Sequence, residues 1–575
     1  MSRSLRVVLC LSTSIFLASP PGRAADDAAR PRIVGITICS HDGASLDANP
    51  ECPYGTYETQ QVVKGEGGGT INADGVKAAS DEHSSVFPPG YLGDNGEYLL
   101  FVASGYQPVN RDIGLMVLSS SGPDDAGQWT FRLADGYGDY GANGRGAVFL
   151  SPTAQGQCPD TLGQPANQDL TFDLAYAAPG SLFRDPTSES GRLLMIYEGT
   201  NACVGNPGGD KLDQGAYEST GIATSLDGGR AWPRYRANDA PFANVDLPFA
   251  NPSQGPRLPA GALGARVCIG NDCDSRVPRT YGRYEILTPP VPLDAALMSD
   301  PQNLAHGLGQ NVGNSEPSAF VDDVLRDRQD EGEDDGLPFV YVVFEYVPGL
   351  QRVTPAQFQL PGGRNKDVMV ARARLDPSGR PLTFFKWNGS SWGDPGLGGL
   401  GAGVFQNGDT AFEHCADPSQ ERGQASISYV AETREYLLTF VCNSPGPPHG
   451  YVIDPDATHE GSVWFYSTID DLSDQSKWSV PREITGSWAR WSHHDDLPRE
   501  ARCPVFNGFY PTLMSPGRPP GQLSTQGYVF YLWGSLGACQ AGSLPPGEEL
   551  PDRKFTSRQF QIITGDRARV SLRGD

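Results

Sequence analysis

The chain has 575 residues, about four domains at ordinary domain size unless one architecture uses its length freely. Its 70 glycines and 49 prolines follow no Gly-X-Y period, and 38% apolar with 19% charged residues fits neither collagen nor a coiled coil. The 24 Phe, 22 Tyr and 9 Trp can build a large core, while a formal charge of −24 repels nucleic-acid backbones and anionic membrane surfaces. A turn-rich, all-β globular protein remains.

The first segment carries Arg3 and Arg6, an apolar run from Val7 to Leu17, Pro20 and Pro21, and small residues Gly22 and Ala24 at cleavage spacing. This predicts a secretory signal over 1–24, cut after Ala24, and a secreted or periplasmic location. Cys10 follows Leu9 and does not read as a lipid-attachment cysteine. No later run reaches 18 apolar residues, so no membrane span is expected. The ten cysteines beyond Cys10 are read as disulfides, as in other exported chains. A neighbour-first arrangement would join Cys39 to Cys52, Cys158 to Cys203, Cys268 to Cys273, Cys415 to Cys442 and Cys503 to Cys539, although the sequence leaves the pairing open.

Beyond the leader a repeat recurs five times. Its first run reads His83-Ser-Ser-Val-Phe87, Pro179-Gly-Ser-Leu-Phe183, Glu316-Pro-Ser-Ala-Phe320, Gln424-Ala-Ser-Ile-Ser428 and Tyr510-Pro-Thr-Leu-Met514. A second, aliphatic and aromatic run follows at Tyr98–Val102, Leu193–Glu198, Phe339–Glu345, Tyr436–Val441 and Tyr528–Leu532. Third runs lie at Gly114–Leu118, Gly221–Thr224, Val368–Ala373 and Val463–Ser467, with Trp129, Trp232 and Trp478 just past the next turn. Four antiparallel strands repeated radially make the blade of a β-propeller, since one such sheet cannot cover both of its faces alone. The expectation is a single domain over 25–575, a five-bladed β-propeller of four-stranded blades. The blades fall near 80–135, 175–236, 314–390, 420–486 and 506–575, with 31–39 closing the last. Connections after the second and fourth strands are long and should gather on one face, where binding residues belong.

Ser225-Leu-Asp227-Gly-Gly229-Arg-Ala-Trp232 fits SxDxGxxW and resembles the Asp box of sialidases and related propellers. Such a turn speaks for fold rather than chemistry. Five blades resemble the secreted glycosidases that include arabinanases, xylosidases, fructan hydrolases and levansucrases. In that group carboxylates at the starts of the inner strands of the first three blades serve as base or nucleophile, helper, and acid. The resemblance implies Glu316, followed by Pro317, as general acid, and Glu82 or Asp81 as base or nucleophile. The second repeat departs, because Ala178-Pro179-Gly180 offers no carboxylate. Phe183-Arg184-Asp185-Pro186 is similar to motifs of fructan enzymes and sialidases, but it ends a first strand, and Asp185 is read as a turn residue.

Comparing equivalent positions singles out the specialised ones. The first-strand starts are His83, Pro179, Glu316, Gln424 and Tyr510, and the second-strand ends are Val102, Glu198, Glu345, Val441 and Leu532. Clustered carboxylates in a desolvated mouth would separate into a protonated acid and an ionised base, as glycosidic cleavage needs. His83, Glu198, Glu345, Arg111, Tyr510 and Trp533 are the candidate substrate contacts, with Tyr106 and Tyr346 as further stacking platforms. The bland alternative pairs Glu198 and Glu345 with arginines such as Arg111 or Arg352 and leaves His83 as a loop cap. Glu413-His414 and His493-His494-Asp495-Asp496 lack diagnostic metal spacing. They read as solvated loops, with a structural Ca²⁺ the minority reading and no cofactor required. The acidic run Asp322–Asp335 reads as a solvated turn. No GxGxxG before a helix, phosphate loop, GxSxG or HExxH occurs.

The expected function is a secreted glycoside hydrolase acting on a polysaccharide or glycoconjugate. A non-catalytic glycan- or protein-binding propeller is the alternative from another class, and a sialidase-like enzyme, which would need three converging arginines, is the third.

Overall fold

In the computed structural model the described residues are 30–38, 76–77, 83–92, 96–106, 113–124, 129–137, 176–188, 191–201, 217–225, 227–230, 232, 282–290, 312–323, 337–348, 366–375, 382–405, 421–443, 462–485, 506–535 and 554–565. They form an all-β structure whose one helical element is a single 3-10 turn at Gln475–Lys477. No helix among them is long and apolar enough to cross a membrane.

After β1 (Arg32–Ile38) the strands follow as successive antiparallel meanders. The first holds β2 (Val76–Lys77), β3 (Ser85–Phe87), β4 (Tyr98–Tyr106), β5 (Ile113–Ser120) and β6 (Arg132–Leu133). The second is β7 (Tyr176–Arg184), β8 (Leu193–Asn201), β9 (Tyr217–Ser225) and β10 (Gly282–Leu287). The third is β11 (Val312–Asp322), β12 (Phe339–Val347), β13 (Asp367–Arg374), β14 (Phe384–Lys386) and the short β15 (Asp394–Pro395). A fourth comprises β16 (Glu421–Val430), β17 (Glu435–Asn443), β18 (Ser462–Ile469) and β19 (Arg482–Glu483), with β21 (Gln522–Leu523) parallel to β16. The last has the order β20 (Phe506–Met514), β22 (Gln526–Ser535), β23 (Lys554–Gly565) and β1, with Ile36 opposite Ile562. A two-residue parallel pairing, Val312 with Tyr217 and Gly313 with Glu218, joins the second meander to the third.

Alternation along these strands buries side chains on both faces, so each meander needs a neighbour on either side. Phe87, Phe101 and Val117 of the first pack with Leu193, Tyr197 and Trp232 of the second. Further shared cores join the second to the third, the third to the fourth, and the fourth to the fifth. Trp129 and Phe131 then meet Tyr528 and Phe530, which brings the first meander against the fifth.

The third position of each first run is always a hydroxyl residue: Ser85, Ser181, Ser318, Ser426 and Thr512. Most of these hydroxyls bridge neighbouring first strands. Ser181 Oγ lies 2.9 Å from Ser318 Oγ, Ser85 Oγ accepts the Leu182 amide at 2.8 Å, and Ser426 Oγ donates to the Pro511 carbonyl at 3.3 Å. Buried polar atoms need such partners, which accounts for the constancy of that position.

The SxDxGxxW turn is a lock. Ser225 Oγ donates to Asp227 Oδ1 at 2.7 Å and accepts the Gly229 amide at 2.9 Å, while buried Trp232 donates to the Gly229 carbonyl at 3.0 Å. Gly229 has φ of 91°, and a Cβ there would come 2.8 Å from the Phe101 ring. Asp185 is likewise structural. Buried with Arg192, it accepts from that guanidinium and from Thr187 N at 2.8 Å. Cys442 is disulfide-bonded. The other cysteines, the signal segment, Glu413-His414 and residues 493–496 lie outside the described residues. Of the acidic run, Asp322 is buried rather than solvated, because Tyr436 Oη donates to its Oδ1 at 2.8 Å; residues 324–335 are not described.

Candidate functional site

β11, β16 and β20 each carry, inside the strand, a non-glycine residue in the left-handed region: Glu316 at φ 49°, Gln424 at 51° and Tyr510 at 53°. Each lies in a bulge, where the register slips between Ser315 and Ser318, Gly423 and Ser426, or Phe509 and Thr512. Non-glycine residues hold this conformation only where their surroundings enforce it. Here a side chain of the preceding meander captures the strained amide. Glu198 Oε2 accepts Glu316 N at 2.9 Å, Glu345 Oε1 accepts Gln424 N at 2.5 Å, and Gln424 Oε1 accepts Tyr510 N at 3.1 Å.

These tethers explain Glu198 and Glu345. Both are buried, at 6% and 1% exposure, and each accepts a backbone amide of the next meander. The two glutamates therefore shape the site from beneath. Tyr510 Oη donates to Glu316 Oε1 at 2.8 Å. His83 is buried, its ring edge against Tyr510 at 5.8 Å and its Nδ1 3.2 Å from Thr512 Oγ1. Tyr346 is wholly buried in the core between the second and third meanders, so it offers no platform at the surface. Its strand lies between β11 and β13, packed on both faces. Trp533 belongs to β22, opposite Gly508, and Tyr106 ends β4 opposite Val76. Asp81, Glu82, Arg111 and Arg352 lie outside the described residues.

The sequence comparison missed two members of the cluster. Lys366, just before β13, places Nζ 3.0 Å from Glu345 Oε2 and 4.0 Å from Glu316 Oε1. Glu218 enters from near the start of β9, outside the third run of its repeat, and it is buried. Acidity divides these carboxyls. Burial pushes Glu345 well above the ordinary carboxylate range, and the charge of Glu316 adds to the effect. Burial likewise raises Glu218, reinforced by the charge of Glu198. Burial also pulls Glu316 upward, but Lys366 and hydrogen bonds from Glu345 and Tyr510 outweigh it and hold Glu316 below its usual value. Burial lowers His83 to about 4, against the pull of Glu316, so the imidazole is neutral near pH 7. Carboxyls whose acidities are driven apart in this way can accept or hold a proton. Among the described residues no group of three or more His, Cys, Asp or Glu side chains is arranged to hold a metal ion.

No protein-family model and no curated protein matches the chain. Among solved structures it is similar to an α-L-arabinofuranosidase of Podospora anserina in complex with cellotriose, at 10% identity and TM-score 0.35, covering 87% of this chain and 95% of that one. An N-acetylgalactosamine deacetylase of F. plautii in complex with blood group B trisaccharide aligns at 11% identity and TM-score 0.35, over 86% and 92% of the two chains. A GH43_1 enzyme of Xanthomonas citri aligns at 10% and 0.33, over 83% and 87%. A likeness this weak assigns neither a fold nor an activity.

Proposed function

We propose that this chain is a secreted five-bladed β-propeller that acts on a polysaccharide or glycoconjugate, and that it is a glycoside hydrolase whose reacting carboxylate is Glu316. The five meanders with their shared cores, and the N-terminal strand that completes the fifth, support a closed ring of blades.

The observation that carries the functional reading is the state of Glu316. Its carboxyl is 13% exposed against 2% for Glu345, its backbone is strained, and Lys366 and the Tyr510 hydroxyl favour its ionised form. Strain of this kind collects where geometry serves chemistry. An ionised carboxylate suits a nucleophile or base, so the proton donor falls to Glu82 or Asp81, the reverse of the roles that strand position implies. Glu345 does not serve as the second working group. It is 1% exposed and holds the Gln424 amide at 2.5 Å, which leaves it no face towards a substrate.

Screening the purified chain against a polysaccharide and aryl-glycoside panel, with product analysis, tests the reading. On any responsive glycan Glu316→Gln should lower kcat at least about a hundredfold with folding intact. Wild-type turnover by Glu316→Gln would refute the assignment. Binding without turnover would favour the glycan-binding alternative, to which the proline at position 179 already points.

A further inference from the structure

We propose that Tyr510 is a positioning residue for Glu316: its hydroxyl, fixed in place by residues of the first and fourth meanders, aims the reacting carboxylate. Tyr510 then acts through Glu316 and is not a stacking platform for sugar. This inference rests on the reading of Glu316 as the reacting group.

The surroundings of the Glu316 carboxylate carry the argument. Tyr510 Oη donates to its Oε1 at 2.8 Å, whereas Lys366 Nζ stands 4.0 Å from the same oxygen, near enough for charge attraction but too far for a hydrogen bond. Oε2 is buried. An ammonium acts as a point charge and sets no direction, so Oε1 takes its direction from the hydroxyl.

Tyr510 is in turn held from several sides. Its amide donates to Gln424 Oε1 at 3.1 Å, its carbonyl accepts from Thr512 Oγ1 at 3.3 Å, and its φ of 53° is set in the bulge between Phe509 and Thr512. His83 meets the ring at 85°, with 5.8 Å between centroids, and is itself buried and fixed, its Nδ1 3.2 Å from Thr512 Oγ1. Gln424 is buried as well, and its own amide donates to Glu345 Oε1 at 2.5 Å. The backbone strain at Tyr510 thus turns a half-buried ring of the fifth meander towards a carboxylate 194 residues earlier in the chain. Charged neighbours of the pair are Lys366 and Glu345 on the third meander and Glu198 and Glu218 on the second, so a titration sensed at Tyr510 is assigned with Glu316→Gln.

The test uses the full chain with Tyr510→Phe, which keeps the ring and removes the hydroxyl. On a glycan from the panel kcat should fall about ten- to a hundredfold with KM within about twofold. The acid limb of the pH–rate profile should move to higher pH, because the ionised carboxylate loses a donor. A raised KM at unchanged kcat would make Tyr510 a substrate contact, and a loss as deep as that of Glu316→Gln would make it a reacting group; either result overturns the proposal. A second readout needs no substrate. With tyrosine labelled at ¹³Cζ, the NMR signal that Tyr510→Phe deletes should shift as Glu316 ionises and stay constant with pH in Glu316→Gln. Gln424→Met, which frees the Tyr510 amide, should shrink that shift, and if this variant does not fold, Tyr510→Phe alone decides. A signal that does not move in wild type would overturn the positioning role while leaving hydrolysis by Glu316 intact. The expected shift in a chain that cleaves no glycan would uphold the hold of Tyr510 on Glu316 and overturn the hydrolase.

Discussion

Replacing Gly423 with alanine puts a methyl group where the Glu345 carboxyl now lies. A Cβ at position 423 would come 1.5 Å from Glu345 Oε1 and 2.3 Å from its Cδ. Gly423 pairs with Val441 inside the ladder between β16 and β17, so the strand resists moving and the carboxyl must swing aside. It then gives up the Gln424 amide at 2.5 Å and the Lys366 ammonium at 3.0 Å. A buried amide left without its acceptor costs about 1 to 3 kcal/mol, and displacing a buried carboxyl from its partners costs a similar amount, so the expected loss is about 2 to 6 kcal/mol. Equilibrium denaturant unfolding of Gly423→Ala, Glu345→Ala and the double variant measures it. With Glu345 truncated the collision disappears, and Gly423→Ala should then cost less than about 1 kcal/mol. An equal cost in both backgrounds would refute the packing of Glu345 against Gly423.

Asp185→Ala leaves Arg192, 7% exposed, without its buried counter-charge, and should lower unfolding free energy by about 3 to 5 kcal/mol in the same assay; a loss below about 1 kcal/mol would contradict the pairing. His83 is depressed in the fold from its ordinary value of 6.5 to about 4. Its folded value lies below its unfolded one, so the stability it contributes is complete above pH 6.5 and is lost as pH falls towards 4, about 3 kcal/mol in all. Stability of His83→Gln against pH should lack that slope; equal slopes in variant and wild type would refute the burial of a neutral imidazole.

Local periodicity made the strands legible, since the first and second runs of all five repeats lie within, or lead into, strands β3, β7, β11, β16 and β20 and β4, β8, β12, β17 and β22. Comparison across repeats read the site further. The constant third position is the hydroxyl that ties neighbouring strands, and the variable first position supplies Glu316, Gln424 and Tyr510. What the comparison could not foresee was reach between meanders. Glu198 and Glu345 attach to the next strand's amide across 118 and 79 residues of sequence, a contact no local pattern encodes. Lys366 stands just before β13 and Glu218 near the start of β9, ahead of the run Gly221–Thr224, so neither occupies a first-strand start or a second-strand end. Tyr346 follows Glu345 immediately, and the alternation of a two-sided core turns it inward instead of towards solvent.

The most direct test of the central claim is a crystal structure of Glu316→Gln with an oligosaccharide taken from the panel. The account predicts a glycosidic bond within hydrogen-bond reach of residue 316, with Tyr510 still bonded to that side chain and Glu345 beneath it. A sugar seated elsewhere on the molecule, or across a mouth whose residue 316 faces away from it, would contradict the account.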